Sequence, residues 1–292
     1  MENLKIIECP RDAMQGIREN IPTTTKIKYI NELLKVGFDT IDFGSFVSPK
    51  SIPQMADTPK VIENLDLSKT KSKLLAIIAN ERGAEEACTF EQIRCLGYPF
   101  SISETFQQRN TNASIEESVN RLEKICDIAS RYNKEMVVYL SMAFGNPYGD
   151  EWNPEIVSEW SQKLKEKCGI RTIALSDTVG VATPGLITSL FNQLIPSQPD
   201  IEFGAHLHTK PELFAEKLKA AYNAGCRRFD GAIKGYGGCP MADDDLVGNM
   251  PTEKMIAWFD DHRITTGLNE TALEHAIERS SYVFQPTKHL SE

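Results

Sequence analysis

Two histidines stand two positions apart in FGAHLHTKPELF, residues 203 to 214. On a β-strand, side chains at i and i+2 share a face. His206 and His208 would then present paired imidazoles, a metal-ligand arrangement if that face looks into a site. Other reactive types fall at comparable places. Arg11 and Asp12 follow the run KIIE, Asp42 lies in TIDFG, Asp177 ends TIALSD, and GYGGCPMADDDLVGN carries Cys239 and Asn249. Two imidazoles, a carboxylate and a carboxamide make a nitrogen and oxygen set suited to Mg2+, Mn2+ or Zn2+ with positions left open for substrate. The set holds no thiolate, which argues against structural zinc. Each residue also has a plain reading: the histidines as hydrogen-bonded core groups, Arg11–Asp12 as an ion pair, Asp42 as a buried acid paired with Arg11, Asp177 as a turn cap, Cys239 as a packing residue.

Bringing these residues together requires a particular set of elements. Eight strand-like runs recur along the chain: residues 5–8, 40–44, 73–80, 92–97, 136–143, 172–177, 203–208 and 228–233. Helical patterns separate them. Ser114 and Glu117 have capping-box spacing ahead of apolar residues at helical intervals, and Asn153-Pro154 and Thr183-Pro184 each pair an N-cap with Pro at the first helical position. Pro211 and Pro251 are placed in first helical turns on the same grounds. An even repeat of roughly 30 residues, with no G-x-G-x-x-G after the first strand, predicts a (β/α)8 TIM barrel over a doubly wound sheet. Residues 1–292 read as one domain, with an extra helical tail from about residue 260. In such a barrel the active site gathers at the C-terminal ends of the strands, where the reactive residues above fall.

Bulk properties narrow the partners. A net charge of -9 without a basic, aromatic-interleaved block argues against nucleic acid, and no apolar run is long enough to span a membrane. Seven cysteines without C-x-x-C spacing argue against a disulfide framework. The start, MENLKIIECPRDAMQG, shows neither an Arg-rich amphipathic segment nor a long apolar core. A cytoplasmic protein is the expectation.

The motifs PRDAMQ, SFVSPKSIPQMAD, SETFQQRNTNASIEES, SDTVGVATPG, HLH and GGCPMADDDLVGN together resemble those of the 3-hydroxy-3-methylglutaryl-CoA lyases, within a metallolyase TIM-barrel superfamily that also holds isopropylmalate and homocitrate synthases. The resemblance runs from about residue 5 to 257. It implies retro-Claisen cleavage of 3-hydroxy-3-methylglutaryl-CoA, or a close 3-hydroxyacyl-CoA, to acetyl-CoA and acetoacetate with a divalent metal, Mg2+ or Mn2+. It further implies Asp12, His206, His208 and Asn249 as metal ligands, Arg11 as the group facing the enolate oxygen, and Cys239 as the catalytic thiol. Asp42 and Asp177 take acidic positions of that site, and Arg18 and Ser45 take substrate-binding ones. The acyl-CoA is the expected small-molecule partner, with a homodimer kept open.

This chain departs from the pattern in several places. The basic position after Arg-Asp becomes Arg18, Asp42 stands where the lyases carry Glu, and the Asp-Thr that usually follows the second histidine is missing. Three acids, Asp243, Asp244 and Asp245, enter the cysteine loop. The alternatives are an acetyl-CoA-dependent condensing enzyme, or a barrel that binds acyl-CoA without catalysis. The short stretch after the barrel and the GGCP loop weigh against the first; the retained reactive residues weigh against the second.

Overall fold

Alternation of apolar residues on both faces of each strand decides the architecture. In the computed structural model, which describes residues 4–237 and 247–285, eight parallel strands carry one apolar set toward surrounding helices and another inward. They are β1 (Lys5–Glu8), β2 (Thr40–Ser45), β3 (Lys73–Ile77), β4 (Ile93–Ser101), β5 (Glu135–Ser141), β6 (Thr172–Asp177), β7 (Glu202–Thr209) and β8 (Arg228–Gly231). Neighbours in sequence pair side by side, and β8 pairs with β1, so the sheet closes into the expected (β/α)8 barrel. Ile41, Phe43, Leu74, Ala76, Val138, Leu140, Phe203, Ala205 and Leu207 belong to the layer between strands and helices. Leu75, Ile77, Cys95, Val137, Tyr139 and Ala174 fill the interior.

Helices complete each unit: α1 (Pro10–Gln15), α2 (Thr23–Val36), α3 (Thr58–Glu63), α4 (Glu81–Cys88), α5 (Glu104–Thr111), α6 (Ile115–Arg131), α7 (Pro154–Cys168), α8 (Pro184–Ser197), α9 (Phe214–Asn223), α10 (Thr252–Asp261) and α11 (Glu270–Phe284). Ser114 and Glu117 form the capping box of α6, and Asn153 and Thr183 cap α7 and α8. A two-residue strand, β9 (Gly248–Asn249), pairs antiparallel with the end of β7. The tail helix α11 packs on α2, with Tyr29 and Phe284 edge to face at 6.0 Å. Among the described residues no helix is long and apolar enough to cross a membrane.

Several strand ends and two prolines differ from the expectation: β3 ends at Ile77 and β5 at Ser141. β4 runs on to Ser101 through Pro99, which pairs with Tyr139. Gly97, the last residue of the expected run, lies inside the strand and serves packing: a Cβ there would lie 2.6 Å from Ile77 Cδ1. β8 stops at Gly231, because Ile233 opens a one-turn 3-10 helix and gives its N–H to Glu8. Pro211 lies in a turn ahead of α9, and Pro251 occupies the N-cap position of α10 while bridging to Ala232.

Candidate active site

The reactive residues converge where β1, β2, β7 and β8 end. The first turn of α1, opened by Pro10, buries both Arg11 and Asp12. Because Ile41 and Phe43 pack outward, strand alternation turns Asp42 into the barrel. There its carboxylate accepts from Arg11 Nε at 3.2 and 3.1 Å and from Arg11 Nη2 at 2.5 Å. Arg11 Nη1 donates to Asp12 Oδ1 at 2.9 Å. One guanidinium is thus locked between two carboxylates. Burial pushes Asp42 up to about 6, against the pull of Arg11. Arg11 loses hydration on burial, but Asp42 and Asp12 outweigh that loss and keep it charged.

β7 carries the imidazoles. Phe203, Ala205 and Leu207 face the helices, so His206 and His208 face inward with ring centroids 5.4 Å apart. His208 Nδ1 lies 3.1 Å from the carbonyl oxygen of Thr178. A carbonyl only accepts, so that nitrogen carries the proton and Nε2 is left as a lone pair. His208 Nε2 is buried and has no hydrogen-bond partner among the described residues. His206 Nδ1 faces Asp230 Oδ2 at 3.2 Å, and Asp230 Oδ1 accepts from Arg228 Nη1 at 2.7 Å. This turns His206 Nε2 away from Asp230.

Ligating atoms of Asp12, His206 and His208 all lie within 4.8 Å of one another. Asn249 stands opposite His208 in the β7–β9 pairing. Its Nδ2 donates to Asp12 Oδ2 at 2.7 Å and to the Tyr236 carbonyl at 2.9 Å, and its amide oxygen has no hydrogen-bond donor among the described residues. Gly237 permits this approach: at its φ of 103° a Cβ would sit 2.5 Å from Asn249 Nδ2.

The electrostatics suit a cation. Burial raises Asp12, but Arg11, both histidines and Asn249 outweigh it and hold the carboxyl below its ordinary value. Burial, then His206, lowers His208 and favours the neutral imidazole that ligates metals. His206 is lowered by burial yet raised overall by Asp230. An ionised carboxylate beside a buried lone pair on a neutral imidazole fits a divalent ion better than it fits an empty polar core.

The remaining expected site residues fall elsewhere or do local work. Asp177 accepts from the Ala182 N–H and from Lys217 Nζ, the latter at 2.8 Å, on the helix-facing side of β6. Lys217 also donates to the His208 carbonyl at 2.9 Å, so Asp177 supports the end of β7 through Lys217. Ser45 is buried and its hydroxyl accepts from the Val47 N–H. Arg18 is exposed on the loop after α1. Cys239 and Asp243 to Asp245 lie outside the described residues.

Sequence reasoning passed over Asp230, Arg228, Lys217 and Gln15, whose Nε2 donates to Asp12 Oδ1 at 2.9 Å. The first pair was readable: in RFDG, Phe229 packs outward, so Arg228 and Asp230 share the inner face. Lys217 carried no such signal, since a helical lysine reads as solvated.

Residues 3–279 match the family model described as HMGL-like. The chain is similar to the rat protein named 3-hydroxy-3-methylglutaryl-CoA lyase, cytoplasmic, with 32% identity over 97% of this chain and 80% of the relative. Its fold resembles a Bacillus subtilis HMG-CoA lyase, with a TM-score of 0.89 and 30% identity over 96% of this chain and 93% of the other. It also resembles an Acinetobacter baumannii HMG-CoA lyase solved with coenzyme A and 3-methylmalate, with a TM-score of 0.87 and 29% identity over 96% and 90%.

Proposed function

The chain belongs to the HMGL-like family, and on that premise we propose that it is a divalent-metal-dependent carbon–carbon lyase cleaving 3-hydroxy-3-methylglutaryl-CoA to acetyl-CoA and acetoacetate. The observation that carries this reading is the buried, unpartnered Nε2 of His208 beside Asp12 and His206. Asp12, His206, His208 and the amide oxygen of Asn249 would hold the metal, Mg2+ or Mn2+. When bound, the ion would act as a Lewis acid on the substrate's hydroxyl and carboxylate oxygens.

The chain's own residues have separate tasks. Once the tertiary hydroxyl has lost its proton, the carbon–carbon bond breaks, leaving the ketone of acetoacetate on one side and an enolate on the thioester fragment. Arg11 donates to Asp12 of the ligand set, and a guanidinium fixed in advance by Asp42 stabilises such charge without reorganising as it forms. Asp42 therefore orients Arg11, and Cys239 is the thiol that would return a proton to the enolate carbon. Ser45 at the end of β2 and Arg18 on the loop after α1 would meet the substrate. Asp177 bears on the site by holding Lys217 against the end of β7. The complex of a similar lyase with coenzyme A supports an acyl-CoA as the ligand. The name of the rat relative supports a cytoplasmic location.

The test is product identification. Purified protein loaded with Mg2+ or Mn2+ is incubated with a panel of 3-hydroxyacyl-CoA thioesters and the products are followed by mass spectrometry. The expected result is acetoacetate and acetyl-CoA from the 3-hydroxy-3-methylglutaryl thioester. Condensation of acetyl-CoA with a 2-oxo acid, and no cleavage, would overturn the assignment. Arg11→Met should lower kcat by about 100-fold with Mn2+ affinity near wild type, because Arg11 acts on charge present only in the transition state.

A further inference from the structure

Glu8 is the last residue of β1 and is fully buried. Ile6 packs in the helix-facing layer, so alternation sends Glu8 to the same side, away from the barrel interior and from the ligand cluster. A carboxyl at such a position needs partners, and it has two. Glu8 Oε1 accepts from the Ile233 N–H at 2.9 Å, and Glu8 Oε2 accepts from Thr252 Oγ1 at 2.6 Å.

Those two partners are the ends of one excursion of the chain. Ile233 begins the turn that follows β8, and Thr252 is the first residue of α10. The ends are also bound to each other: the Ala232 N–H donates to the Met250 carbonyl at 3.0 Å, and the Thr252 N–H donates to the Ala232 carbonyl at 3.1 Å. Backbone hydrogen bonds zip the neck of the excursion, and Glu8 fastens the zipped neck to β1. Asn249 stands three residues before Thr252, and the Tyr236 carbonyl that it holds stands three residues after Ile233. On the other side, Arg11 and Asp12 follow Glu8 by three and four residues. The Asn249–Asp12 contact at 2.7 Å therefore joins two segments whose separation Glu8 sets.

We propose that Glu8 is a positioning residue that fastens the neck of the 232–252 excursion to β1 and so holds Asn249 against Asp12. This rests on the reading of Asp12 and Asn249 as metal ligands. A residue that orients a ligand from behind is commonly worth 10- to 100-fold in metal affinity. Glutamine keeps an acceptor for the Ile233 N–H and offers an amide N–H to the Thr252 oxygen, so Glu8→Gln preserves the clamp. Glu8→Ala removes both bonds, and Thr252→Val removes one.

The experiment measures Mn2+ affinity by electron paramagnetic resonance, with thermal unfolding alongside. Wild type binding Mn2+ and cleaving the thioester establishes the site itself; a failure there is a failure of the functional reading and not of the clamp. Given that site, Glu8→Ala should weaken Mn2+ about tenfold, Glu8→Gln should stay near wild type, and Thr252→Val should fall between. The decisive comparison is with Asn249→Ala. If Glu8 acts through Asn249, the Glu8→Ala and Asn249→Ala effects on Mn2+ affinity will not add. Should Glu8→Ala not fold, Thr252→Val combined with Asn249→Ala gives the same comparison. Wild-type affinity in Glu8→Ala, or additive effects in either double variant, would overturn the proposal.

Discussion

At the scale of single residues, the site is a contest between burial and charge pairing. Asp42 has no exposure and is tolerable as an anion only because Arg11 meets it with three short contacts. Removing one partner of a buried pair costs more than the pair itself contributes, about 3 to 5 kcal/mol. Asp42→Ala should therefore lower the unfolding free energy from urea titration by that order. It should also reduce kcat, since Arg11 loses the group that aims it; a variant with wild-type kcat would remove Asp42 from the mechanism. Much of this was legible. Ile41 and Phe43 bracket Asp42 and set its phase, and His206 and His208 share a face by spacing alone. What could not be read was the state of each nitrogen. That His208 Nδ1 spends its proton on Thr178, leaving Nε2 bare, depends on a backbone carbonyl thirty residues away in sequence.

At the scale of elements, β1 works on both of its faces. Its end delivers Arg11 and Asp12 to the site, and Glu8 on its outer side fastens the chain that returns with Asn249. Burial pushes Glu8 up to about 8, opposed by the Thr252 and Ile233 hydrogen bonds and reinforced by Glu253 on α10. Tyr29 on α2, raised well above its usual value by burial and then by Glu8, faces the same space. Between its ordinary value of 4.5 and about 8 the folded chain keeps a proton on Glu8 that the unfolded chain has lost. Stability from this group is thus full below the lower value and is lost as pH rises through the upper one. Urea midpoints of the chelated protein should fall more steeply with pH between 4.5 and about 8 in wild type than in Glu8→Gln. Parallel slopes would contradict this. The sequence showed Glu8 only as the end of a strand. Its partners Ile233 and Thr252 lie more than two hundred residues away, and only closure of the barrel through β8 and β1 brings them in.

At the scale of the whole molecule, eight parallel strands bring residues from both ends of the chain to one mouth. The barrel was readable because each unit keeps its own signals, strand then cap then helix, as at Ser114 and Thr183. The tail was not, since nothing in its polar sequence says which face of the barrel it covers. It covers α2, and Phe284 also stacks on Tyr236, the residue whose carbonyl holds Asn249, at 4.2 Å. Phe284→Ala removes both ring contacts and should cost about 2 kcal/mol, less than a fully buried Phe→Ala. Calorimetry would show it, and an unchanged Tm would mean that α11 is only peripheral. The central claim is that Asp12, His206 and His208 hold the ion on which cleavage depends. The most direct test titrates Mn2+ into chelated wild type and His208→Ala while following acetoacetate release in the same samples. Wild type should be silent without metal, bind one Mn2+ per chain and recover turnover in step with binding, while His208→Ala keeps its fold and does neither. Metal-free wild type that cleaves the thioester at its full rate would contradict the account.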